Sequence, residues 1–316
     1  MELLDKVDRW QQRHRPVAFA VAVIKKYGDD RGSQLAALIT YYGFLAMFPL
    51  LLVFVTVLGY VAHDNPGVRH DLLNTALADF PVVGQELKRN VGALGGNGIA
   101  LVVGLLALVW GSLGVAQVAQ HAMAQVWNVP GARRPGFGAR LLRSVLVLAV
   151  LAIAIVGTAA LTTVATLVPA GVAAPVLSTA LVVALNVALY WLAFRVLTPA
   201  EVETRDLLPG AIVGGIAWTA LQLIGTLLVA RQLQHTSELY GTFGVVLGLL
   251  FFLYLASQIT VYAAEINVVR KRHLTPRSLA PPPLTEADER VLADVVEAEQ
   301  RRPEEAVDVS FDRQPR

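Results

Sequence analysis

The stretch "YGTFGVVLGLLFFLYLASQITVYAAEINVVRKRH", Tyr240 to His273, decides how the chain is read. No residue between Glu238 and Glu265 is charged, and a basic cluster, Arg270, Lys271 and Arg272, begins five positions after Glu265. An uncharged run of this length matches the roughly 30 Å hydrocarbon core of a bilayer. An unpaired carboxylate inside such a run is among the costliest groups to bury, so Glu265 predicts a partner or a wet interior.

The rest of the chain repeats the pattern. Its 316 residues are 55% hydrophobic and 16% charged, with a mean hydropathy of +0.56. Soluble domains carry about 25% charged residues, so the deficit is large. Six apolar spans can be drawn, near residues 34–61, 98–120, 142–168, 175–197, 208–230 and 242–269. The expected class is therefore all-α: a polytopic integral membrane protein with six transmembrane helices and short amphipathic helices at the interfaces. Pro169, Pro175, Pro199 and Pro209 punctuate the connections, while Pro49 lies within the first span and predicts a kink.

Lysine and arginine set the orientation. Seventeen fall in the segments that would share a side with the termini, against four in the opposite connections. That asymmetry predicts both termini in the cytoplasm. The first residues, "MELLDKVDRWQQRHRP", are too charged for a signal peptide. The absence of cysteine excludes disulfides and thiolate chemistry. No Gly-x4-Gly-Lys-Ser/Thr motif is present, so the chain is not expected to hydrolyse ATP itself.

Three regions follow from these boundaries. Residues 1–33 are a cytoplasmic N-terminal segment, with an interfacial helix expected over 16–27. Residues 34–276 form the six-span domain. Residues 277–316 are expected to be a mostly disordered cytoplasmic tail, holding ten acids and six arginines. Within that tail Thr285 and Asp288 have the spacing of a capping box and predict one short helix. In the long connection 62–97, apolar residues at helical spacing predict surface helices on the outer face, broken at Pro81.

The polar residues inside the spans are the candidate site. Gln117 and His121 share a helical face with Gln125 and Asn128. Asn186 and Arg195 belong to the fourth span, and Gln222 aligns with Gly215, Thr219 and Thr226 on the fifth. Tyr254, Gln258 and Glu265 lie within about 40° of one another on the sixth. A plainer reading stands beside each. Asn186, Thr219 and Gln222 serve as interhelical hydrogen-bond partners, His121 is simply solvated, and the glycine pairs 210–214 and 244–248 are close-packing sites. Glu265 falls about 7–8 Å below Arg270 along the helix. Arg195, also near the inner end of a span, is its expected partner. The two form either a structural pair or part of a path for substrate or protons.

Several segments together resemble a known family. They are "QLAALITYYGFLAMFPLLLVFVTVLGY", "WGSLGVAQVAQHAMAQVWNV", "LYWLAFRVLTP", "DLLPGAIVGGIAWTALQ" and the Tyr-Gly…Gly…Tyr-Leu…Glu-Ile-Asn pattern of the sixth span. This set resembles the YihY/BrkB family of bacterial inner-membrane proteins over residues 20–273. The resemblance implies six helices, one compact domain and the inner membrane. Members have carried a ribonuclease BN label, a virulence or serum-resistance label, and suggestions of a role in moving envelope lipids. No catalytic residues come with the pattern.

The leading expectation is a transporter or translocator of an amphiphilic envelope substrate such as a lipid. A structural or regulatory membrane protein that recruits a cytoplasmic partner is the alternative, separated by deleting 277–316. A ribonuclease is the weaker one. The six histidines are scattered, no HxHxDH or HExxH spacing occurs, and His63-Asp64 and His70-Asp71 are a faint signal. No enzyme activity, metal or cofactor is expected. Membrane lipids are expected partners, a lipid-like substrate and a homo-oligomer are left open, and no nucleic acid is expected.

Overall fold

The computed structural model describes residues 2–61, 98–167, 173–198, 202–232, 241–279, 281 and 283–311. Among these no strand occurs. Two short helices open the chain, α1 (Glu2–Arg13) and α2 (Arg15–Asp29). Six long ones follow: α3 (Gly32–Val61), α4 (Gly98–Val126), α5 (Phe137–Leu167), α6 (Ala173–Leu197), α7 (Leu208–Gln232) and α8 (Gly241–Lys271). A last short helix, α9 (Glu286–Glu297), lies in the tail. The connection 62–97, with its expected surface helices, lies outside the described residues.

Even the shortest long helix, at 25 residues, reaches about 38 Å at 1.5 Å per residue. Five of the six contain a window apolar enough to cross a membrane: Gly32–Leu50, Val102–Val126, Val176–Leu197, Thr204–Gly225 and Val246–Lys271. Helix α5 is as long, carries Arg140 and Arg143 in its first two turns, and has no charge from Ser144 on. Large apolar side chains point outward from these helices, Trp110 at 83% and Val176 at 71% exposure among them. In water such a surface would be a liability, but against acyl chains it is required. Pro49 stays within an unbroken α3.

Glycine lets α7 sit tightly between its neighbours. A Cβ at Gly210 would lie 2.0 Å from the Ala263 carbonyl oxygen of α8, and one at Gly215 would meet the Val187 backbone of α6 at 2.6 Å. The Gly210 N–H, one of the unpaired donors of the first turn, donates to Asn267 Oδ1 at 2.7 Å. The pair 210–214 is thus the expected close-packing site. Gly244 and Gly248 are not: no described atom outside their own helix would come within 4 Å of an added Cβ.

One end of the bundle gathers α1, α2, α9, the starts of α5 and α7, and the ends of α4, α6 and α8. Lys26 of α2 donates to the Val126 carbonyl at 3.2 Å, Arg272 to the Trp127 carbonyl at 2.6 Å, and Lys271 pairs with Asp206. Here the expected tail boundary needs correction. Arg277 is 2% exposed and Ser278 is 1% exposed, so residue 277 opens a packed segment rather than a disordered one. Asp288 accepts from the Ser278 N–H at 2.9 Å and pairs with Lys25 and Arg277. Asp8 of α1 accepts from the Leu279 N–H at 2.8 Å. The physical reason is charge complementarity: acids that look like solvated tail find cations on α2 and just after α8. The capping box at Thr285 and Asp288 is present.

A candidate substrate site at the basic end

Glu265 is fully buried, and among the described residues neither of its oxygens has a hydrogen-bond partner. Its counter-charge is Lys26, whose Nζ lies 3.8 Å from Oε2. The same ammonium pairs with Asp30, and Asn128 Nδ2 donates to Asp30 Oδ1 at 3.1 Å. Two carboxylates therefore share one ammonium. Burial pushes the Asp30 carboxyl above its ordinary range, against the pull of Lys26 and Asn128. Beside the cluster Tyr27 stacks on Tyr262, ring centroids 3.9 Å apart, and burial pushes the Tyr27 phenol up to about 12.

The expected partner of Glu265 was Arg195, and the structure corrects this. Arg195 is exposed on α6 and no ion pair joins it to Glu265. The cation comes instead from α2, which folds over the C-terminal end of α8. Its buried face runs Ala18, Ala22, Val23, Lys26, Tyr27, so the lysine occupies a position on the apolar stripe. Arg31 just after it has φ +54°, a left-handed conformation that turns the chain sharply from α2 into α3.

Next to this cluster lies a cleft of about 1020 Å³. It reaches from the 3-10 turn Gly131–Arg133 up α4 as far as Gly114 and Tyr42. From Gly114 to Val126, where α4 ends, that is about 18 Å of helix. Six arginines line it against two carboxylates, Asp294 and Glu297. Arg134 is held by Gln125 Oε1 at 2.9 Å and the Val129 carbonyl at 3.3 Å, and Arg272 pairs with Asp294 at 2.6 Å. Among the described residues no carboxylate lies within ion-pair distance of Arg133, Arg140 or Arg143. The surplus of cations suits an anionic group. Asn128, at φ +46°, joins the cleft to the buried cluster, lining one and binding the other.

Of the eight candidate residues, the fold brings Gln117 and His121 together in the cleft. Glu265, Tyr254 and Gln258 lie around Tyr27 instead. Asn186 donates to Thr219 Oγ1 at 2.9 Å, and Thr219 donates to the Gly215 carbonyl at 2.8 Å. For those two the plainer reading, a link between α6 and α7, is what the geometry shows. Gln222 and Arg195 are exposed and are not part of either cluster. Among the described residues no three His, Asp or Glu side chains gather as a metal site would need. His63 and His70 lie outside them.

Comparison with known proteins bears on the whole assembly. The family described as virulence factor BrkB matches residues 23–286. The chain belongs to the BrkB family. The inner membrane protein YhjD of Escherichia coli (strain K12) is 25% identical over 280 residues, covering 80% of this chain and 81% of YhjD. An uncharacterised protein of Dickeya dadantii (strain 3937) is 28% identical over 286 residues, 82% of this chain and 85% of that one. A UPF0761 membrane protein of Alkalilimnicola ehrlichii is 32% identical over 138 residues, 42% of this chain and 30% of that protein. No solved structure gives a significant match. This BrkB-family chain is an all-helical protein of the inner membrane, and two of the three relatives are described as membrane proteins.

Sequence reasoning missed Lys26 and Asp30 as the partners of Glu265, and it credited the four arginines from 133 to 143 to topology alone. A signal for the first existed in "KKYGDD". Lys25–Asp29 and Lys26–Asp30 are both i,i+4 pairs, and Lys26 falls on the apolar face of its helix.

Proposed function

We propose that this BrkB-family protein moves an amphiphilic envelope substrate, such as a lipid, across the inner membrane without an ATPase of its own. In this reading six helices span the bilayer, both termini are cytoplasmic, and the arginine-lined cleft is the inner port. The observation that carries it is the shape of that cleft. It has a charged mouth at the basic end and extends up α4 past His121 and Gln117. The start of α5, which supplies Arg140 and Arg143 to the lining, also exposes Phe137, Leu141 and Leu142. A polar slot with an apolar flank accommodates a molecule with a polar head and greasy chains. The excess of arginine and lysine at this end supports its cytoplasmic placement.

The test is reconstitution into liposomes with head-labelled lipids, comparing wild type, Glu265→Gln and protein-free vesicles. Wild type should speed the exchange of label between leaflets, and exchange no faster than in protein-free vesicles rejects the reading. Single cysteines, introduced into a chain that has none, check the topology: Arg133→Cys should react only from the cytoplasmic side. Deleting 277–316 does not separate transport from partner recruitment, because residues 277–297 brace α1 and α2. Deleting 306–316 does.

A further inference from the structure

We propose that the cleft binds a phosphate-bearing anion, either the head of an anionic lipid or a free phosphate, between Arg133, Arg140 and Arg143. The proposal rests on the reading of the cleft as an inner port and names the chemistry of the head it admits. Topology accounts for arginines at this end of the bundle, but it does not require them to converge on one cavity. Around the 1020 Å³ space stand Arg133, Arg134, Arg140, Arg143, Arg272 and Arg290.

The six are not equivalent. Arg272 is committed to Asp294 and the Trp127 carbonyl, Arg290 faces Glu286 at 3.3 Å, and Arg134 is bound by Gln125 and Val129. The two carboxylates of the lining, Asp294 and Glu297, both belong to α9 and repel an anion from that wall. The start of α5 and the turn before it supply Arg133, Arg140 and Arg143, three guanidinium groups with no carboxylate within ion-pair distance among the described residues. Guanidinium forks match phosphate oxygens in pairs, a geometry that favours phosphate over a smaller or rounder anion. Gln117 and His121 lie deeper in the same cleft and offer further hydrogen bonds. Leu142, 62% exposed, lies between Arg140 and Arg143 in the sequence and gives an acyl chain an apolar surface beside the head. Basic pockets between membrane helices on the cytoplasmic side are a recognised setting for anionic heads.

The experiment uses the full chain in a neutral maltoside detergent, titrated with dihexanoyl-phosphatidylglycerol and followed by tryptophan fluorescence, Trp127 being in the lining. Dihexanoyl-phosphatidylcholine and inorganic phosphate are titrated in parallel. Saturable binding of the glycerol lipid, at least tenfold tighter than the choline lipid, is expected. Arg140→Gln with Arg143→Gln should weaken it about 30-fold, some fivefold for each cation removed near the surface. Arg13→Gln with Arg205→Gln, two exposed cations outside the cleft, should leave it unchanged. Tighter binding of the lipid than of phosphate assigns a lipid head, while equal binding assigns a soluble phosphate compound. Equal affinity for both lipids with no binding of phosphate, or an unaltered Arg140/Arg143 variant, overturns the proposal. Salt titration of the wild type supplies a second measure that needs no variant, since affinity must fall as salt rises. Binding without leaflet exchange would reject the translocation reading and leave this site standing. Exchange that ignores the two arginines would do the reverse.

Discussion

Replacing Lys26 by methionine keeps the length of the side chain and its packing, and removes the one cation from a cluster of three ionisable groups. The side chains of Lys26 and Glu265 are wholly buried and that of Asp30 is 1% exposed, so water cannot take over the lost role. Breaking a buried pair by deleting one partner costs about 3–5 kcal/mol, because the charge left behind is uncompensated. The hydrogen bond from Nζ to the Val126 carbonyl, at 3.2 Å, is lost in the same step and is not added separately, since residues in one network do not act independently. The folded fraction relative to unfolded should fall by two to nearly four orders of magnitude, at about 1.4 kcal/mol per factor of ten. The assay is unfolding in mixed micelles of rising dodecyl sulfate content, read by tryptophan fluorescence, with yield in membranes as a second measure. Adding Asp30→Asn and Glu265→Gln to Lys26→Met removes the stranded charges and should recover most of the loss, because neutral substitutes for a buried ionic group are often tolerated. If Lys26→Met unfolds at the wild-type midpoint, or the triple variant is no more stable than the single one, the buried cluster is not what fastens α2 to α8.

Two further outcomes test other parts of the fold. Asp288→Asn should release the tail at neutral pH, seen as protease cleavage near residues 277–297, because Arg277 loses a carboxylate on which it depends. In the wild type, burial alone would raise the Asp288 pKa, but Arg277, Ser278 and Thr285 bring it far below the usual carboxylate range. A lowered pKa contributes stability above the unfolded value of about 3.9 and loses it only as pH falls further. The tail should therefore stay protected at pH 5 and loosen only in strong acid; release between pH 6 and 5 would contradict the assignment. On α7, Gly210→Ala should destabilise by about 1–3 kcal/mol through overpacking, since its Cβ has 2.0 Å to the Ala263 oxygen. Gly244→Ala should be neutral or stabilising by up to about 1 kcal/mol, and both are read in the same micelle assay.

How much of this was legible depended on what each residue's neighbours contribute. The long helices were readable because an apolar run reports its own environment: the expected 98–120, 175–197 and 242–269 became Gly98–Val126, Ala173–Leu197 and Gly241–Lys271. The face of Gln117 and His121 was readable because one helix sets it, whereas Asn128 lies past the end of α4 and reaches the cleft through a left-handed turn. The need of Glu265 for a cation followed from the energetics of burial alone. Which cation it was could not be read, because Lys26 is 239 residues away and depth along a span does not say which way a side chain turns. Arg195 has the right depth and the wrong direction. The tail misled for a similar reason: its acids look like solvated charge until α1, α2 and the residues after α8 are brought beside them.

The fastening of α1 and α2 to α8 and the segment after it has a consequence for biogenesis. Lys25, Lys26, Asp29 and Asp8 leave the ribosome well before their partners Glu265, Arg277, Ser278 and Asp288. Throughout synthesis the leading segment carries cations and acids whose permanent mates do not yet exist. A chain that stops early retains its spans but never closes this clasp. Correct threading is thus closed by a late event, the docking of α8 and the residues after it onto α1 and α2.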